Sequence, residues 1–136
     1  MSIQNAYTNW ATTYDTDRNL TRDLDGQITR RMLGNTHYDT ILELGCGTGK
    51  NTVFFAEVGQ HVTALDFSEG MLAQSQAKVQ RDNVTFSQAD LRQPWPCVDS
   101  EFDIVVANLV LEHIENLDFI FRQAHRVLKL GGMFFI

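Results

Sequence analysis

Cysteine and proline are almost absent from this chain of 136 residues, which has two of each. The cysteines, Cys46 and Cys97, form no C-x-x-C and stand at no Cys/His ligand spacing, so no metal site is expected and both thiols read as reduced and incidental. Both prolines fall in Gln93-Pro94-Trp95-Pro96-Cys97, a rigid loop. Basic residues are scarce, with 11 Lys and Arg against 17 Asp and Glu and a net charge of -6. That balance argues against a nucleic-acid backbone as the main partner and favours a small molecule. No apolar run approaches membrane-spanning length, and Met1-Ser2-Ile3-Gln4-Asn5 has neither the basic start nor the apolar core of a secretory leader. A cytoplasmic location is the default, with no membrane partner. The length suits one domain with a core of its own.

What the chain does have is a dense cluster of glycine. In Thr40-Ile41-Leu42-Glu43-Leu44-Gly45-Cys46-Gly47-Thr48-Gly49-Lys50-Asn51-Thr52 a short apolar run gives way to three glycines at alternate positions. This predicts a buried parallel strand entering a tight turn and then a helix. Glycine lets the backbone take positive φ and lie against a ligand, while the helix that follows presents unpaired amides to it. Two phosphate motifs are excluded by spacing. A Walker A loop needs Gly-Lys-Ser/Thr, whereas Gly49-Lys50 is followed by Asn51, and the third glycine of a dinucleotide fingerprint begun at Gly45 would fall on Lys50.

The remainder alternates strand and helix. Leu20, Leu24, Ile28 and Met32 at i+4 spacing predict a helix from Leu20 to Leu33, capped by Asn19 and stopped by Gly34, with Arg22, Arg30 and Arg31 on a solvated face. A helix over Lys50 to Val58 leads to a second strand, His61 to Asp66. Its terminal acid lies about twenty residues beyond the first glycine, the distance at which a carboxylate reaches a ribose diol. Ser68 caps a helix running to about Val79, Asn83 to Asp90 alternates like a third strand, and Phe102 to Asn108 reads as a fourth. Asn116 starts an amphipathic helix ended by Gly131-Gly132, after which Met133 begins a fifth strand. This order predicts a Rossmann-like doubly wound parallel sheet with strand order 3-2-1-4-5. It is one domain, with residues 1–37 as a helical cap and 38–136 as the core.

The pattern Glu43-x-Gly45-x-Gly47-x-Gly49 resembles motif I of the class I S-adenosylmethionine-dependent methyltransferases. The segment Tyr7-x-x-x-Ala11-x-x-Tyr14-Asp15 is similar to the start of the ubiquinone and menaquinone biosynthesis type. The resemblance implies that Gly45, Cys46, Gly47 and Gly49 touch the methionine and ribose portions of S-adenosylmethionine. It implies that Glu43 orients the methionyl ammonium and that Phe67 and Met71 lie near the adenine ring. Asp90 would then accept from the adenine amino group and the Leu91 amide would serve a ring nitrogen. Ligands in open α/β sheets bind at the switch point between strands one and four, so Asn108 to His113 are expected to face the transferable methyl. His113 is a candidate base, and Tyr14, which either packs or caps the cofactor, is the second candidate catalytic residue.

The function implied is methyl transfer to an O, N or C nucleophile of a small molecule. A non-catalytic module that retains the cofactor site stays open, while nicotinamide chemistry is disfavoured by the glycine spacing and the lack of Tyr-x-x-x-Lys. Strands six and seven of such a sheet are missing. An apolar edge on strand five is therefore expected to be covered either by further polypeptide of a longer protein or by a second copy in a homo-oligomer.

Overall fold

A computed structural model describes residues 20–108, 110–111 and 114–136. Five strands form one sheet in the order β3-β2-β1-β4-β5 and every pairing is parallel. The strands are β1 (Tyr38–Leu44), β2 (Gly59–Asp66), β3 (Val84–Gln88), β4 (Phe102–Ala107) and β5 (Leu128–Phe135). The helices are α1 (Leu20–Leu33), α2 (Thr52–Val58), α3 (Glu69–Lys78) and α4 (Leu117–Val127). The expected fold class and strand order are those observed.

Strands buried on both faces carry near-continuous apolar runs, because each face needs its own layer of helix. In β1, Leu42 and Leu44 join Leu65, Val105 and Ala107 under Ile120, Ala124 and Val127 of α4. Ile41 belongs to the opposite face, with Val62, Ile104, Val106, Phe54 and Phe55 of α2, and Leu33 of α1. The result is three layers whose carboxyl edge collects the ends of β1, β2 and β4.

Two expectations need correction. The apolar stripe of α1 is not its buried face: Leu20, Leu24, Ile28 and Met32 are 70%, 57%, 48% and 63% exposed. The buried positions are Arg22, Gly26, Thr29 and Leu33, so Arg22 is not on a solvated face. The reason is what α1 packs on. Among the described residues only Leu33 of the helix reaches the apolar core, while the helix body meets polar groups at the carboxyl edge, including Asn108 and Lys50.

The second correction concerns Gly131-Gly132. These residues do not end the helix, which stops at Val127, but lie inside β5. Phe102 pairs with Leu128 and Ile104 with Met133, so two steps along β4 match five along β5. The surplus residues are accommodated as an irregularity, with Gly131 at φ +83°.

The proline loop is held as a rigid loop should be. Trp95 is buried and its Nε1 donates to the Leu91 carbonyl at 3.0 Å, while Arg126 donates to the carbonyls of Cys97 and Trp95. Ser68 caps α3 by accepting from the Met71 amide at 3.2 Å, and Asn116 caps α4 by accepting from Phe119 at 3.2 Å.

Candidate functional site

The glycine turn leaves β1 with three consecutive alternate residues at positive φ: Gly45 at +68°, Gly47 at +58° and Gly49 at +89°. Their surroundings differ. A Cβ on Gly45 would stand 2.6 Å from Val110 Cγ2, and one on Gly49 would stand 2.9 Å from Val79 Cγ2, whereas one on Gly47 would meet nothing within 4 Å. The outer two glycines therefore permit close packing, and the middle one leaves open space for a ligand.

Asp66, at the end of β2, is tied to that middle glycine. Its Oδ2 accepts from the Gly47 amide at 2.8 Å and its Oδ1 from the Ser68 amide at 2.9 Å. A carboxylate has lone pairs beyond these two bonds. Burial pushes its pKa up against the opposing effect of the amides. The far side of the turn is held by Ser75 of α3, whose hydroxyl lies against the carbonyls of Gly47 and Met71.

Glu43 is buried, and the Thr52 hydroxyl at the start of α2 donates to its Oε1. Burial raises its pKa from 4.5 to about 8, with Thr52 opposing and Asp66 adding a smaller upward push. The acid is thus protonated at neutral pH. Cys46 is also buried, and its pKa is raised well above the ordinary value, first by burial and then by Glu43 and Asp66. Cys97 is pushed up to about 11 by burial and Glu101. Neither thiol has the lowered pKa of a nucleophilic cysteine.

Farther out, Asp90 and Arg92 form a two-point pair at 2.9 Å through both carboxylate oxygens. This guanidinium is the main reason the Asp90 pKa lies below the usual value. The same group stands 5.8 Å from the Phe67 ring centre. Met71 and Leu91 are buried nearby in sequence, with the Met71 amide bound to the α3 cap. Asn108 follows β4 and its amide nitrogen contacts Asp25 and Thr29 of α1.

Thus Glu43, Gly45, Cys46, Gly47, Gly49 and Asp66 converge at the carboxyl ends of β1 and β2, and Asp90 and Asn108 flank them from β3 and β4. His113 and Tyr14 lie outside the described residues. Ser75, Thr52, Asp25 and Thr29 were missed by sequence reasoning: each acts through contacts between distant segments, and a lone hydroxyl or acid on a helix gives no signal. Among the described residues no group of His, Cys, Asp and Glu could hold a metal ion. A groove of about 430 Å³ on α4, lined by Asp118, Phe121, Arg122 and His125, involves none of these residues.

Fold and site together define a nucleoside-binding domain of the doubly wound α/β class: a glycine turn after the first strand, an acid ending the second and open space between them. A family model described as a methyltransferase domain matches residues 42–136, and the chain belongs to that family, the class I S-adenosylmethionine-dependent methyltransferases. Malonyl-[acyl-carrier protein] O-methyltransferase of Bacillus cereus is 28% identical over 96% of this chain and 50% of its own length. Demethylmenaquinone methyltransferase of Tropheryma whipplei is 34% identical over 75% of this chain and 42% of its own.

Solved structures agree. An S-adenosylmethionine-dependent methyltransferase from Mesorhizobium loti is 32% identical with a TM-score of 0.70, covering 82% of this chain and 53% of that one. The DhpI–SAM–HEP complex is 28% identical with a TM-score of 0.79, covering 98% of this chain and 66% of that one. The chain spans about half the length of the relatives it matches. The cofactor of the family is S-adenosylmethionine. The residues present fit it, because the space above Gly47 is open and the Asp66 carboxyl borders it.

Proposed function

We propose that this chain binds S-adenosylmethionine over the Gly45–Gly49 turn and directs its methyl group to an O, N or C nucleophile of a small molecule. The observation that supports this most directly is the Asp66–Gly47 bond beside open space, since a carboxylate at the end of the second strand suits a ribose diol. The cofactor supplies a methyl group made electrophilic by the sulfonium. The chain's part is alignment: the glycine turn and Asp66 hold the nucleoside, and Glu43 lies below the methionyl end. Asn108 belongs to the cofactor side in this reading, and His113 and Tyr14 are its candidate catalytic residues. His113 is the candidate to take the proton that the acceptor loses.

Residues 1–37 act as the cap and 38–136 as the core in this reading, and the setting is the cytoplasm. The acceptor class follows the relatives, whose names point to a malonyl thioester carrier and a demethylmenaquinone. A second copy of the chain is proposed to cover the free side of β5, where Leu130, Met133 and Ile136 are exposed.

Calorimetric titration with S-adenosylmethionine and S-adenosylhomocysteine tests the binding reading. Saturable binding that Asp66→Ala abolishes supports it, and an empty site in the wild type rejects it. Transfer of labelled methyl from the cofactor to small-molecule acceptors then separates an enzyme from a module that only binds.

A further inference from the structure

Helix α1 is fastened to the end of β4 through Asn108. Asn108 Nδ2 donates to Asp25 Oδ2 at 2.9 Å and to Thr29 Oγ1 at 2.8 Å. The Thr29 hydroxyl gives its only proton to the Asp25 backbone carbonyl at 2.8 Å, so it meets Asn108 with lone pairs alone. The Asp25 carboxylate oxygen is an acceptor as well. Two acceptors on one side require the amide nitrogen there, which determines which way the Asn108 amide is turned. Its Oδ1 must then point away from both, and it is buried with no hydrogen-bond partner among the described residues. Buried acceptors in folded proteins are nearly always paired.

The place of this unpaired oxygen is informative. Asn108 follows Ala107, which pairs with Leu44, the residue before Gly45. Val110, two residues further on, packs where a Gly45 side chain would stand. The amide is therefore at the switch point between β1 and β4, beside the glycine turn. The Asp25 carboxylate bonds the amide directly. An amide backed by a carboxylate suits a cationic donor better than a neutral one.

We propose that Asp25 and Thr29 are positioning residues that present Asn108 Oδ1 to the ammonium of the methionyl portion of the bound cofactor. This inference rests on the reading of the site as an S-adenosylmethionine cleft. It assigns to α1 a role in reading the amino-acid end of the cofactor, through side chains that make no claim on the ligand themselves. Asp25→Ala and Thr29→Val each remove one of the two acceptors of the Asn108 amide. Either change frees the amide to turn.

The test compares two nucleosides on the folded chain. S-adenosylhomocysteine carries the ammonium, whereas 5′-methylthioadenosine keeps the nucleoside and sulfur without it. Asp25→Ala and Thr29→Val are expected to weaken S-adenosylhomocysteine about tenfold, the size of one charge-assisted hydrogen bond, and to leave methylthioadenosine unchanged. Thr29→Ser, which keeps the hydroxyl, is expected to bind like the wild type. A purely architectural role would weaken both nucleosides in parallel or neither, and either result overturns the proposal. Wild-type protein that binds neither nucleoside would overturn the cleft reading itself. Thermal melts of each variant confirm that the comparison is made on folded protein.

Discussion

Asp66 Oδ2 accepts the Gly47 amide hydrogen at 2.8 Å, which joins the acid at the end of β2 to the middle of the turn that follows β1. Those two segments lie about twenty residues apart in the chain, and the bond makes them one site. Its Oδ1 at the same time receives the Ser68 amide at 2.9 Å and so orders the entry to α3.

Asp66→Ala should therefore act on both stability and binding. Two backbone amides lose their acceptor, a cost of about 1–3 kcal/mol in unfolding free energy. Loss of the diol contact should weaken S-adenosylhomocysteine by roughly 30-fold or more. Denaturant unfolding and calorimetry measure the two effects separately, and unchanged affinity would remove Asp66 from the cofactor site.

The Gly45 and Gly47 positions should respond differently to alanine. At Gly45 the new methyl would stand 2.6 Å from Val110, and φ is +68°, so Gly45→Ala is expected to destabilise the fold by about 2 kcal/mol or more. Adding Val110→Ala should relieve part of that loss. At Gly47 nothing lies within 4 Å, so Gly47→Ala should cost only the left-handed backbone penalty of about 1 kcal/mol while filling the cradle. Its mark is weakened nucleoside binding with little change in stability. Equal stability losses in the two single variants would contradict this assignment.

Glu43 should make the free protein sensitive to alkali. Its pKa is raised from 4.5 in the unfolded chain to about 8 in the folded one, so between those values the folded state binds the extra proton. Stability then falls as pH rises through that window, by at most about 1.4 kcal/mol per pH unit for one proton. Below pH 4.5 both states are protonated and the effect vanishes. Glu43→Gln keeps the acceptor for Thr52 without the charge, and its melting temperature should gain on the wild type between pH 5 and 8. Parallel melting curves across that range would show that Glu43 does not titrate there.

The free side of β5 should govern assembly. If a second copy covers Leu130 and Met133, light scattering will give twice the 15.5 kDa chain mass at micromolar concentration. Lysine at both positions should return the 15.5 kDa species, since charge on an edge strand opposes pairing. A monomer at every concentration tested would reject this mode of assembly.

Residue pattern was enough to establish the order of elements, the strand order, the helix from Leu20 to Leu33 and the residues of the turn from Glu43 to Gly49. These features rest on local physics: apolar runs with a definite period, caps at Ser68 and Asn116, and glycine where φ is positive. The acid at Asp66 was legible because strand and helix lengths set its distance from the turn. Long-range packing settled which face of α1 is buried, since periodicity shows that a stripe exists but not whether a sheet or solvent receives it. It also decided the partners that support the site. Ser75 under Gly47, Thr52 on Glu43 and Asp25 with Thr29 on Asn108 are pairs of residues brought together by folding, and no spacing rule connects them. The place of Gly131 within β5 was hidden for the same reason: a glycine that bulges a strand and one that stops a helix look alike until the neighbouring strand sets the register.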